Sequence, residues 1–262
     1  MDYAIVVVAA LLVSAIALYS GFGLGTLLLP VFALFFPIPV AVAAVAVVHL
    51  ANNVFRLGLV GRHADRKVAL LFGLPGAGAA VLGALLLARV SSIPPLASYH
   101  LGGQEFSVSV VKLVIAMLIA GFAMLELVPV LSNWKVDRRY LPAGGIVSGF
   151  FGGLSGQQGA LRAPFLAGAG LDAAGFAGTT AVVAIMVDMV RLAVYGPTVL
   201  RQSYSTVFEH RGLGLVIAAT VAAFLGTYLG SRYLKKVTIG TIKKLVGVLL
   251  VIVAVALASG LA

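Results

Sequence analysis

Apolar residues run almost unbroken through most of this chain, and the few interruptions organise it. Predominantly apolar stretches occupy 39–60, 68–88, 108–131, 173–195, 212–231 and 242–260. Each is close to the run of about 20 residues that crosses a bilayer core as a helix. Two further apolar segments, 3–36 and 143–168, are broken by glycines: Gly21, Gly23 and Gly25 in the first, Gly149, Gly152, Gly153, Gly156 and Gly159 in the second. A continuous helix over 3–36 would be about 50 Å long at about 1.5 Å per residue. That is too long for one passage through a core about 30 Å thick. The segment therefore either crosses once around its break or enters and returns as a re-entrant hairpin.

The order of elements recurs along the chain. Pro30 and Gly25 in "GTLLLPVFAL" match Pro164 and Gly159 in "GALRAPFLAG" at one common spacing. "NNVFRL" (Asn52–Leu57) then matches "VDMVRL" (Val187–Leu192), and Gly61 and Gly196 each follow the paired Arg56 and Arg191 by five residues. "KLVIAML" at Lys112 matches "KLVGVLL" at Lys244. The expected organisation is repeat 1 over 1–131, a basic linker over 132–142, and repeat 2 over 143–262, each repeat a broken segment followed by three helices. Corresponding loops have opposite character. Loop 91–107 is long and carries no Lys or Arg, whereas its counterpart 232–241 is short and basic; 61–67 is basic, whereas 196–211 is long and has only Arg201 and Arg211. Positive residues collect on the cytoplasmic side, so this inversion favours halves of opposite orientation with re-entrant segments. Eight crossings with parallel halves is the other reading.

Composition agrees with a membrane setting. The chain is 61% hydrophobic and 10% charged, more apolar surface than a soluble domain of 262 residues can hide. The fold class expected is an all-α polytopic membrane protein, multi-pass in a cell membrane of the bacterial inner-membrane type. The net charge of +10 does not argue for nucleic acid, because half of the 18 Lys and Arg residues sit in the short loops 61–67, 134–139 and 232–236. The expected surroundings are membrane lipid and a small anionic substrate, and whether the chain forms a homo-oligomer is not readable. The N-terminal stretch lacks a basic region before its apolar run and reads as a retained membrane segment. There is no cysteine, no HExxH-like metal spacing and no GxSxG. No enzyme activity, metal or cofactor is expected.

The candidate chemistry lies at the breaks. Irregular backbone at membrane depth survives only beside protein or a water-filled cavity, and a half-helix that starts there offers free N–H groups and a positive dipole end. Gly23, Gly25 and Thr26 open the first half-helix; Gln157, Gln158 and Gly159 open the second, with Arg162 on its first turn. A charge at that depth is costly unless paired or wet, so Arg162 either binds an anionic ligand or pairs with Glu126 or Asp188. His49, Asn52 and Arg56 share one helix face. Thr179 and Thr180 are substrate contacts or interhelical hydrogen-bond glue. Asp188 and Arg191, spaced i, i+3, read as an ion pair, and Glu126 is a candidate for proton coupling.

At these motifs the chain resembles the sulfite exporter TauE/SafE family, also described as the toluenesulfonate uptake permease group. The resemblance rests on the duplicated "GFGLGTLLLPVFAL" and "GGLSGQQGALRAPFLAGAGL", each followed by an alanine- and threonine-rich helix ending in "NNVFRL" or "DMVRL". The first copy departs from the usual glycine triplet at Leu24 and the second at Gln157 and Gln158. The resemblance implies secondary transport of sulfite, organosulfonates or similar small anions. A passive anion channel on the same scaffold is the alternative.

Overall fold

The structure is a computed structural model that describes residues 2–20, 24–128, 135–200, 212–233 and 239–261. Its helices are α1 (Asp2–Ser20), α2 (Leu24–Ala33), α3 (Ile38–Val60), α4 (Arg66–Ser91), α5 (Val110–Leu127), α6 (Leu141–Ser155), α7 (Gly159–Ala167), α8 (Ala173–Tyr195), α9 (Gly212–Tyr233) and α10 (Ile239–Ala258). Their starts follow local chemistry. Asp65 caps α4 by accepting from Val68 N at 2.9 Å, Ser109 caps α5 from Lys112 N at 3.3 Å, and Asp172 caps α8 from Gly175 N at 2.7 Å. Proline near the start of α3 and α6 costs no hydrogen bond, since first-turn N–H groups have no helical partner.

Four of the helical segments, Ile38–His63, Arg66–Ser91, Ala173–Val199 and Gly212–Arg232, are long and apolar enough to cross a membrane. The expected crossings 108–131 and 242–260 fall on α5 and α10, whose described parts give the shorter apolar helices Val110–Leu125 and Gly247–Ala258. Large apolar side chains such as Leu74, Leu82, Ile217 and Val255 point outward, as lipid contact requires.

Four of the helix pairings have directions that specific contacts define. α1 runs parallel to α9, with Leu11 against Gly226 and Ala15 against Gly230; α6 runs parallel to α4, with Phe72, Gly76 and Ala80 against Gly145, Gly149 and Gly153 in turn. α3 and α8 are antiparallel, joined by Val60 at Gly178 and by His49 at Asp188. α5 and α10 are also antiparallel, with Leu127 at Gly247 and Lys112 Nζ donating to Gly260 O at 3.2 Å. The end of α7 comes back to the chain just before α6: Val136 N donates to Pro164 O at 3.1 Å, and Gly168 abuts Val136. Thus α6 and α7 enter and leave on one side.

On the opposite side, the start of α3, the end of α4, the start of α5 and Thr198–Val199 surround a cavity of about 470 Å³. The stretch 91–107, expected as a loop, contains a β-hairpin here, β1 (Ala97–Leu101) and β2 (Gln104–Val108), in register Tyr99↔Phe106. Gly102 and Gly103 at φ +61° and +82° form the two-residue turn that suits paired strands. Tyr99 OH donates to Ser259 O at 2.6 Å and ties the hairpin to the end of α10.

Candidate functional site

The second break starts at a glycine for a clear reason. Gly156 ends α6 in the left-handed region at φ +79°, with its N–H donating to Gly152 O at 2.9 Å. A side chain there would also meet Arg191, whose Nη1 lies 2.8 Å from where a Cβ would stand. Gln157 and Gln158 form the tip, and α7 begins at Gly159. From the other half, Gly25 on the first turn of α2 packs directly against this tip: a Cβ on Gly25 would sit 2.8 Å from Gly156 O and 3.8 Å from the His49 ring. The segments around the two breaks therefore meet.

Around that meeting point lies a buried polar cluster. Asp188, fully buried on α8, is its hub. His49, the central residue of α3, donates from Nδ1 to Asp188 Oδ2 at 2.6 Å. Arg191 Nε donates to Asp188 Oδ1 at 2.9 Å, with Nη2 standing 2.8 Å from the same oxygen. Gln158 Nε2 donates to that oxygen at 3.2 Å, and Arg162 Nη1 donates to Gln158 Oε1 at 3.2 Å. Arg162 thus reaches the carboxylate through Gln158. On α3, Asn53 Nδ2 donates to His49 O at 2.8 Å and lies 3.2 Å and 3.4 Å from the ring nitrogens, while Arg56 Nη1 donates to Asn53 Oδ1 at 3.4 Å. Arg191 Nη1 also donates to Gly152 O at 3.3 Å, and Tyr195 OH donates to Gly153 O.

The electrostatic balance is cationic. Among the described side chains, Arg56, Arg162 and Arg191 face the single carboxylate of Asp188, and Arg56 and Arg162 are near enough to repel each other. Both Gln157 amide atoms lack a hydrogen-bond partner although the residue is only 1% exposed, and Thr180 Oγ1, fully buried, also lacks one. A buried amide with neither end satisfied costs about 1–3 kcal/mol per group. A buried polar group without a partner calls for an explanation such as a bound water, ion or ligand.

The structure brings together His49, Arg56, Gln158, Arg162, Asp188 and Arg191, with Gly25 and Gln157 at the tips. Thr26 is buried on the first turn of α2. Asn52 points elsewhere, accepting from Thr227 Oγ1 of α9 at 2.8 Å. Thr179 lies at the far end of α8, where its Oγ1 accepts from Asp65 N at 2.9 Å; it joins α8 to the entry of α4. Gly23 and the Glu126 side chain lie outside the described residues. The sequence reading missed Tyr195, Thr227 and Ser148, whose Oγ donates to Gln158 O at 2.9 Å. Of these only Tyr195 had a local signal, one turn beyond Arg191 on the same helix face.

Comparison with known proteins gives one match. The family model described as "Sulfite exporter TauE/SafE" matches residues 6–257. No curated protein and no solved structure matches the chain.

Proposed function

The chain belongs to the sulfite exporter TauE/SafE family, a family of membrane transporters, and from that premise we propose that it is a secondary carrier of small anions. The substrates of this reading are sulfite, organosulfonates or related sulfur-containing or carboxylate anions. The observation that carries it is the meeting of the two break segments, Gly25 against Gly156, beside the buried guanidiniums of Arg56, Arg162 and Arg191. An anion seated at the start of α7 gains N–H donors, a positive dipole end and charge-assisted bonds from Arg162. Gln157 contributes an amide that the protein itself leaves unsatisfied.

The same reading assigns two inverted repeats, 1–131 and 143–262 around the linker 132–142, in a bacterial-type inner membrane. Support comes from helix direction. The elements that correspond by sequence, α3 with α8 and α5 with α10, pack antiparallel, as a two-fold axis in the membrane plane requires. Rocking of one half against the other then exposes the site, which both halves line, to each side in turn. Because the chain has no cysteine, single thiols report the topology. Ser98→Cys and Ser203→Cys label from outside on intact cells, and Arg62→Cys labels only after permeabilisation. Labelling of Ser98→Cys and Ser203→Cys from opposite faces contradicts inverted halves.

Arg162 provides the test of the site. Arg162→Gln is expected to weaken sulfite or sulfonate binding by about 1.5–3 kcal/mol, the strength of a hydrogen bond to a charged group. That is a loss of roughly ten- to a hundredfold in affinity. Among the described side chains Arg162 donates to the neutral Gln158 Oε1, so the apo melting temperature is expected to fall less than in a variant that breaks the Asp188–Arg191 pair. Arg162→Lys retains charge and loses the planar two-pronged contact, so it falls between the two. Intact ligand affinity in Arg162→Gln contradicts the reading.

A further inference from the structure

We propose that the site takes up one proton with each monovalent anion, and that the His49–Asp188 pair holds it. The inference rests on the reading of this cluster as an anion site and names the ion that accompanies the anion.

Its starting point is that a carboxylate already occupies the donors an anion would need. Asp188 Oδ1 takes Arg191 Nε and Gln158 Nε2, and Oδ2 takes His49 Nδ1. Arg162 is joined to the same network through Gln158. A substrate oxyanion arriving at these groups competes with Asp188 for them and is repelled by its charge. A neutral His49 that donates from Nδ1 keeps Nε2 as an acceptor. A proton from solvent can therefore settle on the pair, and as the pair is tightly coupled the uptake belongs to both residues together. Its arrival loosens the hold of Asp188 on Arg191 and Gln158 and cancels its repulsion of the ligand.

The neighbours make the event conditional. From α3 the pair faces Asn53 and Arg56, from α7 Arg162 with Gln158, and from α8 Arg191, with Tyr195 one turn on; from α2 the backbone at Gly25 abuts the His49 ring. The described charged members of this surround are guanidiniums. They oppose a further positive charge when the site is empty and cease to do so when an anion sits among them. Anion and proton then favour each other's binding, reciprocally. Their charges sum to zero, so the empty and loaded site carry the same buried charge. This matters because changing a charge at membrane depth is expensive. The pair also joins α3 to α8, one element from each half, which places the titrating bond across the line along which the halves would move.

The test is calorimetric titration of purified wild-type protein with methanesulfonate, which stays ionised between about pH 5 and 9 where histidine titrates. Parallel runs in two buffers of different ionisation enthalpy count the protons. The expected result is uptake approaching one proton per anion, with affinity falling about tenfold per pH unit on the alkaline side. Asp188→Asn and His49→Gln flatten that dependence, Asp188→Asn binding the more tightly at high pH. If either variant fails to fold, the proton count of the wild type decides by itself. Binding without proton uptake at any pH, or folded variants that retain the full pH dependence, overturns this inference and leaves the anion site standing. Failure of methanesulfonate and sulfite alike to bind the wild type overturns both.

Discussion

Arg191→Gln is expected to destabilise the ligand-free protein by about 3–5 kcal/mol, the cost of removing one partner from a buried ion pair. Asp188 has no exposed surface, and among the described residues Arg191 supplies its one guanidinium contact within salt-bridge distance. Removing that cation leaves a buried carboxylate with His49 and Gln158 as its hydrogen-bond partners among the described residues. Arg191 also donates to Gly152 O, so the end of α6 loosens with it. The effect is read as a lowered unfolding midpoint in detergent, and the double variant Asp188→Asn/Arg191→Gln recovers most of the loss because no charge is then stranded. An equal loss in the single and double variants would mean that the guanidinium acts through packing alone. Arg162 differs in reaching that carboxylate through Gln158, whereas Arg191 contacts it directly.

The second large effect sits on the seam between α4 and α6. Gly145, Gly149 and Gly153 recur at every fourth position and press against Phe72, Gly76 and Ala80, the small-residue packing that lets membrane helices approach closely. A Cβ on Gly149 would lie 2.0 Å from Gly76 O, a backbone atom with no freedom to turn aside. Gly149→Ala is therefore expected to cost about 3 kcal/mol, the upper end of ordinary overpacking. It also shifts the break at Gly156, which α6 carries. Gly58→Ala is the same chemical change on an exposed face of α3, where nothing lies within 4 Å of the added atom. There, helix propensity favours alanine by up to about 1 kcal/mol. Opposite signs for the two variants in the same unfolding assay confirm the seam; similar values contradict it.

What could be read from the chain alone follows from where its information is local. A long apolar run announces a helix by length, and glycines such as Gly156 and Gly159 announce a break because few other residues tolerate one. Arg162 was conspicuous because a guanidinium in an apolar run needs a reason. Partners were less legible. Arg191 as the neighbour of Asp188 followed from i, i+3 spacing, but His49 comes from a different helix, and nothing local in either segment encodes that contact. Thr179 shows the same limit: its bond to Asp65 N depends on the antiparallel packing of α3 and α8 and on the turn that follows α3. The hairpin over 97–108 was overlooked because strands of five residues are short beside the apolar helices around them, although Gly102-Gly103 is a turn signal.

In the function proposed, the tips of the two breaks and their arginines form the binding site of a carrier for small anions. Counterflow in proteoliposomes tests it most directly. Vesicles containing the purified protein are loaded with unlabelled sulfite, then methanesulfonate, and given a trace of the labelled anion outside. The account predicts saturable uptake that is accelerated by the internal anion and strongly reduced in Arg162→Gln. Linear, unaccelerated flux that Arg162→Gln leaves unchanged would contradict it.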